Sequence, residues 1–125
     1  MADKPNIIRD KSYNFSLNSI KLVRDLSKST ESYIIAKQLI RSTTSVGANI
    51  EEALAGFTKK DFIHKMSIAL KECSESKYWL RLIKDLELIK NGAADSLLNE
   101  CDEIRKILTS IIKTSQEKQF TSRES

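Results

Sequence analysis

The most constraining feature of this chain is one apolar stripe. Between Ile35 and Phe57 the residues Ile35, Ala36, Leu39, Val46, Ile50, Ala53, Leu54 and Phe57 fall within about a third of a helical circumference at roughly 100° per residue. A strand cannot use that spacing, because its faces alternate every second residue. A helix carrying such a stripe must bury it against another element, and the rest of the sequence offers only further helices. Three glycines and a single proline in 125 residues leave few turn makers, and strand-like alternation is absent. The expected class is therefore all-α. A chain of this length folds as one domain with one modest core.

Punctuation divides the chain into four helical segments. The first is predicted from Ser12 to Ser27, with Phe15, Leu22, Val23 and Leu26 on one side. Ser29 and Thr30 offer the N-cap of the second, which passes through Gly47 and closes at Gly56. An interior glycine costs about 1 kcal/mol relative to alanine, so close packing is expected to compensate at Gly47. Thr58 with Asp61 resembles a capping box, with Asp in place of the usual Glu or Gln, and opens the third helix. This helix is predicted to run from Lys59 to Lys90, roughly 48 Å, with Asn91-Gly92 as its left-handed cap. The fourth, Ala94 to Lys118, carries Leu97, Cys101, Ile104, Leu108 and Ile111 on one seam. Residues 119–125 lack the pattern and are expected to fray, leaving 1–118 as the domain. Short connections between long helices predict an antiparallel up-down-up-down four-helix bundle.

Helix three has the least regular pattern. Ile63, Met66, Leu70 and Cys73 form a stripe in its first half, and the same line continues as Lys77, Arg81 and Lys84. Trp79, Leu82, Ile83 and Leu86 fall on the opposite side. Two apolar sides exceed what one internal core covers, which points to a second copy of the chain as the additional partner. The alternatives are a bend around the chain's own core, or helix one covering the second face.

The start of the chain carries charges but no apolar leader, and no stretch approaches the roughly 18 apolar residues of a membrane span, so a cytoplasmic protein without a membrane role is expected. Cys73 and Cys101 lie on apolar helical faces and read as buried thiols of a reducing compartment. A disulfide is open to them only if helices three and four bring them together.

The residues offer little to catalysis. His64 stands alone, the glycines are isolated, and Glu72 and Glu75 lack the Glu-x-x-His pattern of di-iron bundles. No catalytic residue, metal or cofactor is expected; the two glutamates are better suited to salt bridges with Lys71, Lys77 or a basic residue of a neighbouring helix. Arg41, Ser45, Ala48 and Glu52 recur along one side of helix two, with Ser42 and Asn49 adjacent, and suggest a structural polar network in which Arg41, Asn49 and Glu52 bond across the contact, with a binding groove as the alternative reading.

The net charge of +4 is unevenly distributed. Residues 1–28 and 58–90 each hold a net +3, and the two remaining segments hold −1 each. Lys77, Arg81 and Lys84, with Lys59, Lys60, Lys21 and Arg24 as contributors and Tyr78 as a stacking group, form the candidate nucleic-acid surface. The plain alternative is a solvated helix face.

Taken together, RSTTSVGANIEEALAG from Arg41, ALKECSESKYWLRLI from Ala69, KSYNFSL from Lys11 and EIRKILTSIIKT in the last helix resemble a known family. It comprises the four-helix bundle proteins encoded in intervening sequences of bacterial 23S ribosomal RNA genes, with the related accessory variability proteins of diversity-generating retroelements. The Ser-x-x-x-Asn-Ile-x-Glu pattern is met by Ser45, Asn49, Ile50 and Glu52. Ala53 departs from the glycine common after that Glu, with Gly56 following three residues later. The resemblance implies a ring-like homo-oligomer, a pentamer, with RNA or DNA bound through basic surface. In the retroelement branch it implies a complex with a reverse transcriptase, so an adaptor role is the alternative function. Trp79 is the side chain expected to anchor a subunit contact.

Overall fold

The computed structural model describes residues 6–124, with side chains through Lys118. Four helices account for nearly all of them: α1 (Ile7–Arg24), α2 (Thr30–Ala55), α3 (Lys59–Asp85) and α4 (Ala93–Glu124). There is no strand among the described residues.

Local chemistry sets each boundary. α1 begins earlier than Ser12 because the Asn6 side chain accepts from the Arg9 N–H at 3.0 Å, and because Ile8 adds a buried turn. Ser29 caps α2 by accepting from the Ser32 N–H, and Thr58 caps α3 by accepting from the Asp61 N–H. α3 stops at Asp85, short of the expected Lys90. Glu87 adopts a left-handed φ of 54°, its N–H donates to the Lys84 carbonyl, and the Leu88 N–H donates to the Ile83 carbonyl. This is a Schellman ending with a glutamate where glycine is usual, closed by burial of both Leu88 and Ile83. Asn91 and Gly92, at φ 66° and 68°, therefore do not cap α3; they lead the chain into α4. The backbone of α4 is helical to Glu124, beyond the expected end at Lys118. Ser125 and the side chains from residue 119 on, where fraying was expected, lie outside the described residues.

Each helix packs on its sequence neighbours, and α1 closes the square against α4; α1 and α3 lie on one diagonal, α2 and α4 on the other. Ser42 meets Ser76 while Glu52 meets Lys65; Cys73 meets Cys101 while Lys84 meets Asp95; Lys11 meets Glu103 while Asn18 meets Glu100. The Ser27 N–H donates to the Leu88 carbonyl at 2.9 Å, tying the α1–α2 and α3–α4 turns together at one end.

The core corrects the sequence reading of helix three. Its buried line is Met66, Ala69, Cys73, Ser76, Leu80 and Ile83, a continuous alternation of threes and fours. The apolar face does not change sides. Trp79 and Leu82 are half-buried and flank this line, packed against the same core, and of the four residues expected on the opposite side Leu86 alone is exposed. Ser76 occupies a core position because its hydroxyl has hydrogen-bond partners there, Ser42 Oγ at 2.8 Å and the Glu72 carbonyl at 2.9 Å. Leu54 of α2, and Phe57 beyond its Gly56 cap, leave the expected stripe and are exposed.

Candidate nucleic-acid interface

Two polar surfaces emerge, on opposite flanks of α3. On the α2 side, the Arg41 guanidinium bonds to Glu72 Oε2 at 3.2 Å, to Glu75 and to Gln38 Oε1 at 3.1 Å. Glu75 also accepts from the Trp79 indole N–H at 3.1 Å. One cation thus holds the carboxylate pair, and the pair's basic partner comes from α2, not from Lys71 or Lys77. Glu52 crosses the same seam to Lys65 at 2.8 Å, and that hydrogen bond, with the charge of Glu52, raises the Lys65 pKa. Ser45 and Asn49 do not cross; the Asn49 amide donates to the Ser45 carbonyl and hydroxyl. Arg41 and Glu52 therefore join helices, whereas Asn49 braces its own.

On the α4 side lies the basic stripe. Lys77, Arg81 and Lys84 are all exposed. Lys84 pairs with Asp95 at 2.7 Å, and this hydrogen bond raises its pKa. Asp102 of α4 sits among cations: Arg105 bonds to it at 2.9 Å, Lys106 stands at 3.6 Å, and Lys77 acts on it from α3. The Arg105 hydrogen bond comes first among the causes that pull the Asp102 carboxyl below its ordinary pKa. Arg105 and Lys106 thus extend the stripe onto α4. Sequence reasoning missed them because they belong to a segment of net negative charge. Tyr78, exposed beside Lys77, meets the Trp79 ring edge-on at 5.0 Å.

The other expected contributors lie elsewhere. Lys59 and Lys60 open α3, about 36 Å along the helix from Lys84. Lys21 and Arg24 close α1, which is diagonal to α3. Four of the seven candidate cations are thus separated from the stripe.

A third feature is a groove of about 300 Å³ between α1 and α2, where Tyr13, Leu17 and Ile20 face Thr44, Gly47 and Ala48. His64 is exposed, and no group of three or more potential metal ligands forms among the described residues. No helix among the described residues is long and apolar enough to cross a membrane.

No curated protein matches the chain. A crystal structure of a protein of unknown function from the S23 ribosomal protein family of Bacteroides thetaiotaomicron superposes with a TM-score of 0.78 at 42% identity, over 85% of this chain and 98% of that one. The profile of the 23S rRNA-intervening sequence protein family matches residues 4–110, a span that includes α1, α2, α3 and most of α4. The chain belongs to the 23S rRNA-intervening sequence protein family.

Proposed function

We propose that this protein is a non-catalytic cytoplasmic scaffold that binds RNA or another nucleic acid through the α3–α4 face. Its unit is an antiparallel up-down-up-down bundle, and its working form is a ring-like homo-oligomer, a pentamer. The observation that carries the reading is the composition of that face. Lys77, Arg81, Lys84, Arg105 and Lys106 stand against Asp95 and Asp102, and the exposed Tyr78 follows Lys77 in α3. Clustered cations on rigid helices attract phosphate without base-specific geometry, and an exposed aromatic ring adds a stacking surface. A ring would repeat the patch on every subunit, so that modest local attraction becomes avid. The α1–α2 groove, with exposed Tyr13 and Leu17 at its edge, is the surface through which bundles would pack side by side.

The test is binding of a fluorescently labelled structured RNA, followed by anisotropy as salt is raised. A face engaging about five phosphates should lose roughly 500-fold in affinity between about 50 and 200 mM salt. Combined charge reversal at Lys77, Arg81 and Lys84 should weaken binding throughout. No measurable affinity at low salt overturns the nucleic-acid reading, and a monomeric mass in light scattering overturns the ring.

A further inference from the structure

α3 and α4 meet in the core at two cysteines. The sulfurs of Cys73 and Cys101 lie 3.4 Å apart. Each sulfur also lies close to the other residue's backbone: Cys73 Sγ is 3.3 Å from the Cys101 carbonyl oxygen, and Cys101 Sγ is 3.2 Å from that of Cys73. Both residues are buried and neither is bonded to the other. The contact is reciprocal, so the two short side chains converge from both helices. A disulfide needs sulfurs at about 2.05 Å, and closing the remaining distance of about 1.4 Å lies within what side-chain rotation and slight helix approach supply.

We propose that Cys73 and Cys101 are an oxidisable dithiol, and that a small peroxide converts them to an intramolecular disulfide that staples α3 to α4. The chemistry balances in two steps. The Cys73 thiolate attacks one peroxide oxygen and breaks the O–O bond; with hydrogen peroxide, Cys73 becomes a sulfenic acid and the other oxygen leaves as water after protonation. Cys101 then attacks the sulfenic sulfur, the S–S bond forms, and the hydroxyl leaves with the Cys101 proton as a second water. Two thiols are oxidised and one peroxide is reduced.

The Cys101 S–H bond to Cys73 lowers the Cys73 pKa against the opposing effect of burial, and Arg105 adds attraction. The same bond, together with burial, holds the Cys101 thiol well above its ordinary range. Burial makes the reaction slow and gated, because peroxide reaches sulfur only when the α3–α4 hairpin opens locally. Once formed, the bond closes a loop of roughly 28 residues and opposes that opening.

The experiment uses the full-length protein treated with hydrogen peroxide and then quenched. Expected are loss of both thiols on titration in denaturant, an intact mass lower by two hydrogens, and a Cys73–Cys101 linked peptide. The melting temperature should rise by about 10 °C, reversibly on adding dithiothreitol. The Cys101→Ser variant should keep the fold and show neither the mass loss nor the rise in melting temperature. Thiols that stay free in the folded protein, crosslinks between chains, sulfinic acid at Cys73, or an unchanged or lower melting temperature of the linked form each overturn the proposal.

Discussion

Replacing Gly47 with alanine should stabilise the protein, although Gly47 lies in the middle of α2 facing α1. A Cβ at that position would lie 3.5 Å from Ser16 Oγ and 3.7 Å from the Ser12 carbonyl oxygen, which is ordinary van der Waals contact. The close packing expected to require a glycine here is therefore not so tight as to exclude a methyl group. Alanine then recovers the helix propensity that glycine forgoes, about 1 kcal/mol. With an unfolding entropy of about 2.1 cal/mol/K per residue, a chain of 125 residues converts that gain into a rise of about 4 °C in melting temperature. Far-UV circular dichroism at one fixed protein concentration measures it, since assembly makes the midpoint concentration-dependent. Gly56→Ala is the contrast: its Cβ would stand 2.7 Å from Asp61 Oδ2, so the carboxylate must swing away and no comparable gain is expected. An unchanged or lower midpoint for Gly47→Ala refutes the reasoning. It would mean that α1 and α2 approach more closely than the contacts of Ser12 and Ser16 indicate, or that a neighbouring subunit occupies the groove Gly47 lines.

Three further substitutions probe other parts of the bundle. Glu87→Gly removes a side chain from a left-handed position and should raise stability by about 1 kcal/mol in urea unfolding; a loss would mean that the Glu87 side chain contributes more than its backbone strain costs. Trp79→Ala should cost about 2–3 kcal/mol, since the ring is half-buried and loses its Glu75 bond, while circular dichroism still reports a folded bundle; an unchanged midpoint would exclude a packing role. Glu100→Gln tests a pH dependence. Burial, partly offset by the Asn18 hydrogen bond, raises the Glu100 pKa, so the folded state favours its protonated form and this contribution is lost as pH rises through the carboxylate range. The Gln variant should be the more stable protein at pH 7, by no more than about 1 kcal/mol after solvent screening, and the advantage should vanish below about pH 4; an advantage independent of pH would assign it to something other than charge.

The bundle was legible in the sequence wherever apolar letters marked the core, and it was misread where polar letters did. Ser76 and Ser42 sit wholly inside the seam between α2 and α3, satisfied by each other and by backbone carbonyls. A hydroxyl that finds its partner in the neighbouring helix gives no sign of burial in a one-dimensional pattern. Skipping Ser76, and Ala69 with it, broke one continuous stripe into two and suggested an apolar second face that α3 does not have. The end of α3 was hidden for a related reason. Glu87 takes the left-handed position usually marked by glycine, and the burial of Leu88, which only the folded core can reward, holds it there.

The basic surface shows why charge has to be counted by face and not by segment. The two segments of net +3 belong largely to α1 and α3, which are diagonal and share no seam, so they do not add up to one basic side. The segment containing α4 is net negative, yet its acids are sorted by direction. Glu100 and Glu103 turn toward Asn18 and Lys11 of α1, while Arg105 and Lys106 gather with Lys77 around Asp102 on the flank toward α3. A helix of nearly balanced composition thereby presents an acidic edge to one neighbour and a basic edge beside the other. Periodicity locates such edges, but only the packing of α3 against α4 determines which cations stand together. The α2 flank of α3 illustrates the opposite outcome, because Arg41 is consumed in holding Glu72 and Glu75 and has little charge left to offer a phosphate. What distinguishes a binding cation from a structural one here is therefore whether a neighbouring helix turns a carboxylate into bonding distance of it, and Lys77 and Arg81 form no ion pair among the described residues.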